Sequence, residues 1–213
     1  MMGPEGSNLK FSENYNDMWA LDRTNYKQGG YFVDLGAADG IVGSNTYLLE
    51  KFYKWNGICV EANPMMLKSL CGSRDVNICD LAVYSESGKI LPFKFMNHAG
   101  EFYGWQFRSG ISSVVDTTSV EFSERNVFTI TLNDILALYN APQVIDYVSI
   151  DIEGSELFAL QGFDFTTHNV MNFTIEYNNE ANRQDVYNIL INKGYTRIDF
   201  DQDCTEDRYI LER

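Results

Sequence analysis

The sequence predicts an α/β fold built on a mostly parallel sheet, and three features predict it. Residues 31–40, YFVDLGAADG, read as a buried strand running into a glycine-bearing turn, with a helix signal close behind. Apolar strand-like runs then alternate with helix-spaced segments, which implies parallel strands joined by right-handed crossovers. Acidic residues also recur at the ends of those runs, at Asp34, Glu61, Asp80, Asp151, Glu153 and Glu176. Open α/β sheets bind ligands beyond the carboxyl ends of their strands.

At 213 residues the chain fits one domain, 11–213, after a Gly-, Pro- and Ser-containing stretch 1–10 read as flexible. Hydrophobic residues are 45% and charged residues 22%, which suits a sizeable core and argues against wholesale disorder. The formal net charge of -14 repels phosphate backbones and anionic lipids, so neither nucleic acid nor a membrane surface is an expected partner. Cys59, Cys71, Cys79 and Cys204 make no C-x-x-C pair, and only His98 and His168 accompany them. No structural zinc is therefore expected, and a reduced, cytoplasmic chain is the default. No apolar run is long enough to span a bilayer, and residues 1–10 lack the apolar centre of a secretory leader. Monomer and homodimer are both compatible with the sequence.

Taken in order, Tyr15, Met18, Trp19 and Leu21 suggest a leading helix within residues 11–21. The first strand is Tyr31–Leu35. Ser44 can cap a helix whose apolar side is Tyr47, Leu48 and Phe52. A second strand, 57–60, ends at Glu61. Asn63-Pro64 then opens a helix with Leu67, Leu70 and Cys71 on one face. Residues 76–79, extending toward Tyr84, form the third strand. Residues 88–96 and 102–107 suggest a hairpin or β-rich insertion, 109–115 a flexible loop, and 127–130 a short strand. Thr131 and Asp134 make a capping-box pattern before Ile135, Leu136 and Leu138. A strong buried strand covers 145–152, a short helix 155–161 stops at Gly162, and a further strand, 170–175, ends at Glu176. A helix marked by Val186, Ile189 and Leu190 stops at Gly194. Residues 195–200 and 208–211 close the fold as an antiparallel pair.

The chemistry lies at the strand ends. The turn departs from the dinucleotide G-x-G-x-x-G because Ala38 stands where a second glycine belongs. Asp34 and Asp39 flank it instead. Acids there repel a pyrophosphate and suit a ligand carrying an amine and a sulfonium, namely S-adenosylmethionine. Glu61 lies about twenty residues on, where an acid can take both hydroxyls of a ribose. Asp80 could receive an adenine amino group, although an aspartate there equally suits a turn. On an extended strand Asp151 and Glu153 would project the same way, into the crevice. Glu153 could also cap the following helix. Two such carboxylates admit a hard cation in principle, but no third ligand accompanies them, and no metal is expected. His98 sits in a polar Asn-His-Ala-Gly stretch that more often lies on a surface. The aromatics Phe102, Tyr103, Trp105 and Phe107 read as packing of the insertion.

These segments together resemble the FkbM-like S-adenosylmethionine-dependent methyltransferase family. The resemblance is densest in VDLGAADG with Ser44-Asn45-Thr46 behind it, then GICVEANP with Arg74 downstream. It continues through IDYVSIDIEGSE, TIEYN at 174–178 and Gly194-Tyr195. Near Phe11-Ser12 the chain departs from the family's Ser-Gln, with Glu13 in place of the Gln, while Asp17 is kept. The resemblance implies a Rossmann-like class I methyltransferase fold: a mostly parallel seven-stranded sheet with an antiparallel closing strand, helices on both faces and a small β-rich insertion. It implies O-methylation of a hydroxyl on a sugar, glycan or secondary metabolite. The expected donor contacts are Asp34, Gly36, Ala37, Ala38, Asp39, Gly40, Ser44, Asn45, Thr46, Glu61, Ala62, Asp80, Leu81 and Asp151. Some relatives resemble non-enzymatic adaptors, so the fold alone does not establish catalysis.

Methyl transfer requires an acceptor oxygen, a methyl carbon and a sulfur held in line, and a base for the acceptor's proton. Asp151 is the first candidate base, with Glu153, Glu176 and His98 behind it. Two other readings stay open: a nicotinamide-dependent oxidoreductase on the same fold, and a binding module that lost turnover. The small-molecule or glycan acceptor would be chosen by variable loops, here residues 97–126.

Overall fold

A computed structural model of the chain describes residues 11–12, 14–96, 109–111, 122–178, 180–198 and 205–212. Residues 1–10, His98, Cys204 and the 102–107 segment lie outside these.

The chain begins with α1 (Asn16–Arg23). It starts later than its apolar spacing suggests because Tyr15, at φ 57°, turns the chain before the first helical residue, and the Asn16 amide donates to Ser12 Oγ at 2.9 Å. Then follow β1 (Tyr31–Leu35), α2 (Tyr47–Tyr53), β2 (Asn56–Val60), α3 (Pro64–Ser73) and β3 (Asn77–Cys79). Asn63 caps α3 as expected, its Oδ1 accepting from the Met65 amide at 3.0 Å. Two helix faces differ from the expectation. In α2 the buried residues are Leu49 and Glu50, while Phe52 is exposed. In α3 they are Met66 and Leu70, while Cys71 is exposed.

The expected extension of the third strand toward Tyr84 does not form. After Cys79 the chain leaves the main sheet and enters a separate four-stranded one. This comprises β4 (Ala82–Val83), β5 (Ile90–Met96), β6 (Ser109–Ile111) and β7 (Phe122–Ile130), in the order β4-β7-β5-β6. The β-rich insertion is therefore present and larger than expected. Residues 109–111 are a strand rather than the start of a flexible loop, and 127–130 is the end of a long strand paired along its length with β5. A cluster of Ala62, Ala82, Phe93, Phe95, Ile111 and Val127 packs this sheet against the main body.

Helix α4 (Leu132–Leu138) is capped by Thr131, whose Oγ1 accepts from the Asp134 amide at 3.1 Å. Only half of the capping box forms, because the Thr131 amide donates to Ser87 Oγ at 2.8 Å and Asp134 accepts from the same hydroxyl. The apolar run 145–152 is split into β8 (Val144–Ile145) and β9 (Tyr147–Ile150). The break falls at Asp146, whose carboxylate accepts from the Tyr31 amide at 2.9 Å and pairs with Lys27 at 2.8 Å. Helix α5 (Glu156–Gln161), β10 (Asn169–Val170), β11 (Asn172–Glu176), α6 (Glu180–Asn192), β12 (Tyr195–Ile198) and β13 (Glu206–Leu211) complete the chain. The 170–175 run is likewise divided, with β8 and β10 forming their own two-stranded ladder.

The main sheet has seven strands in the order β12-β13-β11-β9-β1-β2-β3, with β13 antiparallel to both of its neighbours. Alternation along β1 sends Val33 and Leu35 into one core cluster and Phe32 into another. The first also holds Ile135, Leu136, Leu160 and Leu190 from α4, α5 and α6. The second holds Leu21, Leu49 and Leu70 from α1, α2 and α3. Helices thus cover both faces, which is why the central strands read as continuous apolar runs. The same alternation puts Asp34 on the Phe32 face, under α2. Among the described residues, no helix is long and apolar enough to cross a membrane.

Candidate active site

The carboxyl ends of β1, β2, β9 and β11 open onto a cavity of about 460 Å³, within the ~300–1,000 Å³ typical of small-molecule sites. One wall is the turn after β1. Gly36 and Ala37 donate their amides to the Val60 carbonyl at 2.9 and 3.1 Å. Gly36 has φ +90°, and a Cβ there would lie 1.7 Å from the Asp151 carbonyl oxygen. Only glycine permits this approach of the two strand ends. Ala38 follows at φ 46°, and its amide donates to Glu61 Oε2 at 2.9 Å. The other Glu61 oxygen accepts from the Asn63 amide at 2.6 Å. Burial pushes the Glu61 carboxyl up to about 7, against the lowering effect of these amides.

Beneath the turn lies a buried polar network. Thr46 Oγ1 donates to Asp34 at 2.5 Å and accepts from Arg74 Nη2 at 2.9 Å. Arg74 pairs through Nε with Glu50 and donates to the Gly40 carbonyl at 3.3 Å. Burial raises Asp34, and the Arg74 charge and the Thr46 hydroxyl oppose it. A second network ties α1 to the sheet. Asn45 donates to Ser149 Oγ at 2.8 Å and accepts from Ser12 Oγ at 2.7 Å. Asn16 in turn donates to both Asn45 and Glu206.

The reacting side is built differently from the sequence expectation. The strand stops at Ile150, so alternation does not aim Asp151 and Glu153 together. Glu153 instead sits at φ 53°, followed by Gly154 at φ 103°. Both carboxylates nonetheless line the cavity, with Glu176 from the end of β11. Glu156, the first residue of α5, accepts from the Ile152 and Gly154 amides ahead of the helix at 3.2 and 2.9 Å, and Ser155 at the N-cap makes no side-chain cap bond. Glu206 joins the cluster because antiparallel pairing sets it opposite Glu176. Burial, then the charges of Glu176 and Glu153, raise Asp151 well above the usual carboxylate range, and Asp151 shares a hydrogen bond with Glu176. No three His, Cys, Asp or Glu side chains among the described residues are grouped to hold a metal ion.

Of the expected donor residues, Asp34, Gly36, Ala37, Ala38, Ser44, Asn45, Glu61, Ala62, Leu81 and Asp151 line the cavity. Asp39, Gly40, Thr46 and Asp80 are not among its lining residues. Asp39 turns its carboxylate back onto the Ile41 and Val42 amides, at 2.8 and 2.9 Å. Thr46 is held between Asp34 and Arg74, and Asp80 is exposed. His98 lies outside the described residues. Sequence reading missed Glu206, Ser155, and the wall supplied by Val83, Phe93 and Ile111 of the small sheet. No local pattern signals Glu206, because it reaches the cavity only through the antiparallel pairing of β13 with β11.

The sequence profile of the Methyltransferase FkbM domain matches residues 34–197. A sequence search of curated proteins finds no match. Among solved structures, the precorrin-6y C5,15-methyltransferase of Geobacter metallireducens GS-15 is similar over 97% of this chain and 94% of its own, at 8% identity and a TM-score of 0.51. A methyltransferase from Pyrococcus furiosus covers 99% of this chain and 85% of its own, at 13% identity and a TM-score of 0.43. The N-terminal domain of human METTL16, in complex with SAH, covers 92% of this chain and 68% of its own, at 11% identity and a TM-score of 0.47. At such identities, likeness speaks to the fold alone, a class I Rossmann-like one.

Proposed function

The chain belongs to the FkbM methyltransferase family, and on that premise we propose that it transfers a methyl group from S-adenosylmethionine to a hydroxyl of a small-molecule or glycan acceptor. The observation that carries this reading is one cavity joining the Gly36 turn, Glu61 and Asp151. The lining residues fit the donor. Asp34 and Asp151 suit a cationic sulfonium and ammonium. Glu61 suits a ribose diol, and Ala62, Leu81 and Ala82 offer an apolar wall to a planar base. Six carboxylates and no Lys, Arg or His are among the described lining residues. That balance opposes the pyrophosphate of a nicotinamide dinucleotide.

When bound, S-adenosylmethionine supplies an electrophilic methyl carbon on an excellent leaving group. The chain's own task is then positioning and proton removal. The turn and Glu61 hold one side of the cavity in register through the Ala38 amide. Phe93 and Ile111, both buried, add apolar lining to the cavity. Asp151 lines the cavity, and burial together with the Glu176 and Glu153 charges raises its affinity for a proton, so it is assigned to take the acceptor's proton, with Glu176 as its hydrogen-bonded neighbour. The three described cysteines are free thiols, which supports a reducing, cytoplasmic setting. The acidic surface supports neither nucleic acid nor an anionic membrane as partner, and the working unit is a monomer or homodimer.

Calorimetry with S-adenosylmethionine and with S-adenosylhomocysteine tests the donor half directly. Saturable binding of both is expected, and NAD binding in their place would overturn the reading. Donor binding without methyl transfer to any compound in a broad hydroxyl panel would favour the adaptor alternative.

A further inference from the structure

The turn after β9 carries a hydroxyl that the fold does not use. Ser155 is 2% exposed and lines the cavity, yet its Oγ has no hydrogen-bond partner among the described residues. It stands at the N-cap of α5 and makes no side-chain cap bond there. Buried hydroxyls are almost always paired, so one left open on a cavity wall points to a ligand.

The packing of α5 indicates which part of the cavity this hydroxyl serves. Phe158 stacks on Tyr84, with ring centroids 4.7 Å apart. At the C-cap of α5, a Cβ on Gly162 would lie 2.9 Å from the Tyr84 carbonyl oxygen. The helix therefore runs beside the chain as it leaves β4. Ser155 and Phe158 are three residues apart, the spacing of one helix face, so Ser155 lies on the β4 side of α5. Leu81, Ala82 and Val83, directly before Tyr84, line the cavity too. Leu81 and Ala82 belong to the apolar wall that suits the planar base of the donor. Their side chains are hydrocarbon and leave the polar edge of that base without a partner. Asp80, the residue expected to receive an adenine amino group, is exposed and is not among the lining residues. A serine hydroxyl both donates and accepts, which suits an edge that carries an amino group beside a ring nitrogen.

We propose that Ser155 is a donor-binding residue whose hydroxyl hydrogen-bonds the polar edge of the adenine. This rests on the methyl-transfer reading above.

Calorimetry on the full chain and on its Ser155→Ala variant tests it with three probes. S-adenosylhomocysteine has base, ribose and head group; 5′-methylthioadenosine lacks the head group; S-ribosylhomocysteine lacks the base. Affinity for the first two should fall roughly three- to tenfold in Ser155→Ala, the value of one neutral hydrogen bond. S-ribosylhomocysteine should bind both proteins equally or neither. The thermal unfolding midpoint without ligand should be the same or higher in the variant, because the hydroxyl has no protein partner to lose. Unchanged affinity for S-adenosylhomocysteine would overturn the proposal and give the hydroxyl to the acceptor. A loss for S-ribosylhomocysteine as large as for S-adenosylhomocysteine, or a lowered midpoint without ligand, would overturn it too. Failure of the unsubstituted chain to bind S-adenosylhomocysteine would instead sink the methyl-transfer reading itself.

Discussion

The Glu61 carboxylate accepts a hydrogen bond from the Ala38 amide at 2.9 Å, so the end of β2 holds the turn after β1 in its left-handed bend. The same carboxylate fixes the Asn63 amide at the start of α3. A ribose in this cavity would therefore meet an acid already oriented by the backbone. Glu61→Gln keeps the shape and replaces one acceptor by a donor facing the Ala38 amide. Affinity for S-adenosylhomocysteine should fall by about tenfold or more, the value of one charge-assisted hydrogen bond, as read by calorimetry. An unchanged dissociation constant would remove Glu61 from the donor site.

Arg74 is the hub of the network under the glycine turn, with Glu50, Thr46 and Gly40 as partners and Asp34 within its field. Arg74→Met would leave the buried Asp34 without its nearby cation and Glu50 with Lys51 alone. Breaking a buried pair in this way costs about 3–5 kcal/mol. Urea unfolding should show a loss of that order; a change under ~1 kcal/mol would mean that the pair behaves like an exposed one.

Asp151 is assigned to the acceptor's proton. Asp151→Asn retains its size and removes the base, so turnover should fall by roughly 10²–10⁴, measured at saturating donor. Full activity in Asp151→Asn would transfer the role elsewhere, with Glu176 next in position.

Stability should fall as pH rises through neutrality. Burial pushes both Glu61 and Glu156 up to about 7 in the fold, from usual values of 4.5. Between those values the folded chain keeps protons that the unfolded chain has lost. The unfolding free energy therefore decreases with increasing pH. From pH 6 to pH 8 each group contributes about 1.4 kcal/mol, so the thermal midpoint should be higher at pH 6. A midpoint that rose toward pH 8 would contradict this burial.

Much of the fold was legible because it is written in local pattern. The strand Tyr31–Leu35 and the Asn63-Pro64 helix start were found where the sequence placed them. The strand-end residues Asp34, Glu61, Asp151 and Glu176 converge on one cavity because parallel strands share a carboxyl end. The errors have physical causes as well. Apolar runs cannot report a break such as the one at Asp146, where a side chain takes over a backbone role. Periodicity could not show that the chain changes sheets after Cys79, since strands of either sheet read alike.

The sequence by itself determined the α/β class, the glycine turn and the acidic strand ends, because backbone preference and side-chain alternation act over a few residues. Only the tertiary structure decided which acids meet. Glu206 reaches Glu176 through an antiparallel register, Asn16 reaches Glu206 across the chain's two ends, and Arg74, at the end of α3, reaches Glu50 in α2. Those meetings depend on packing and on hydrogen bonds between distant segments. They also set what the opening turn can do. Gly36 is fixed less by the turn's own needs than by the Asp151 carbonyl, from a strand more than a hundred residues later, lying where a side chain would stand.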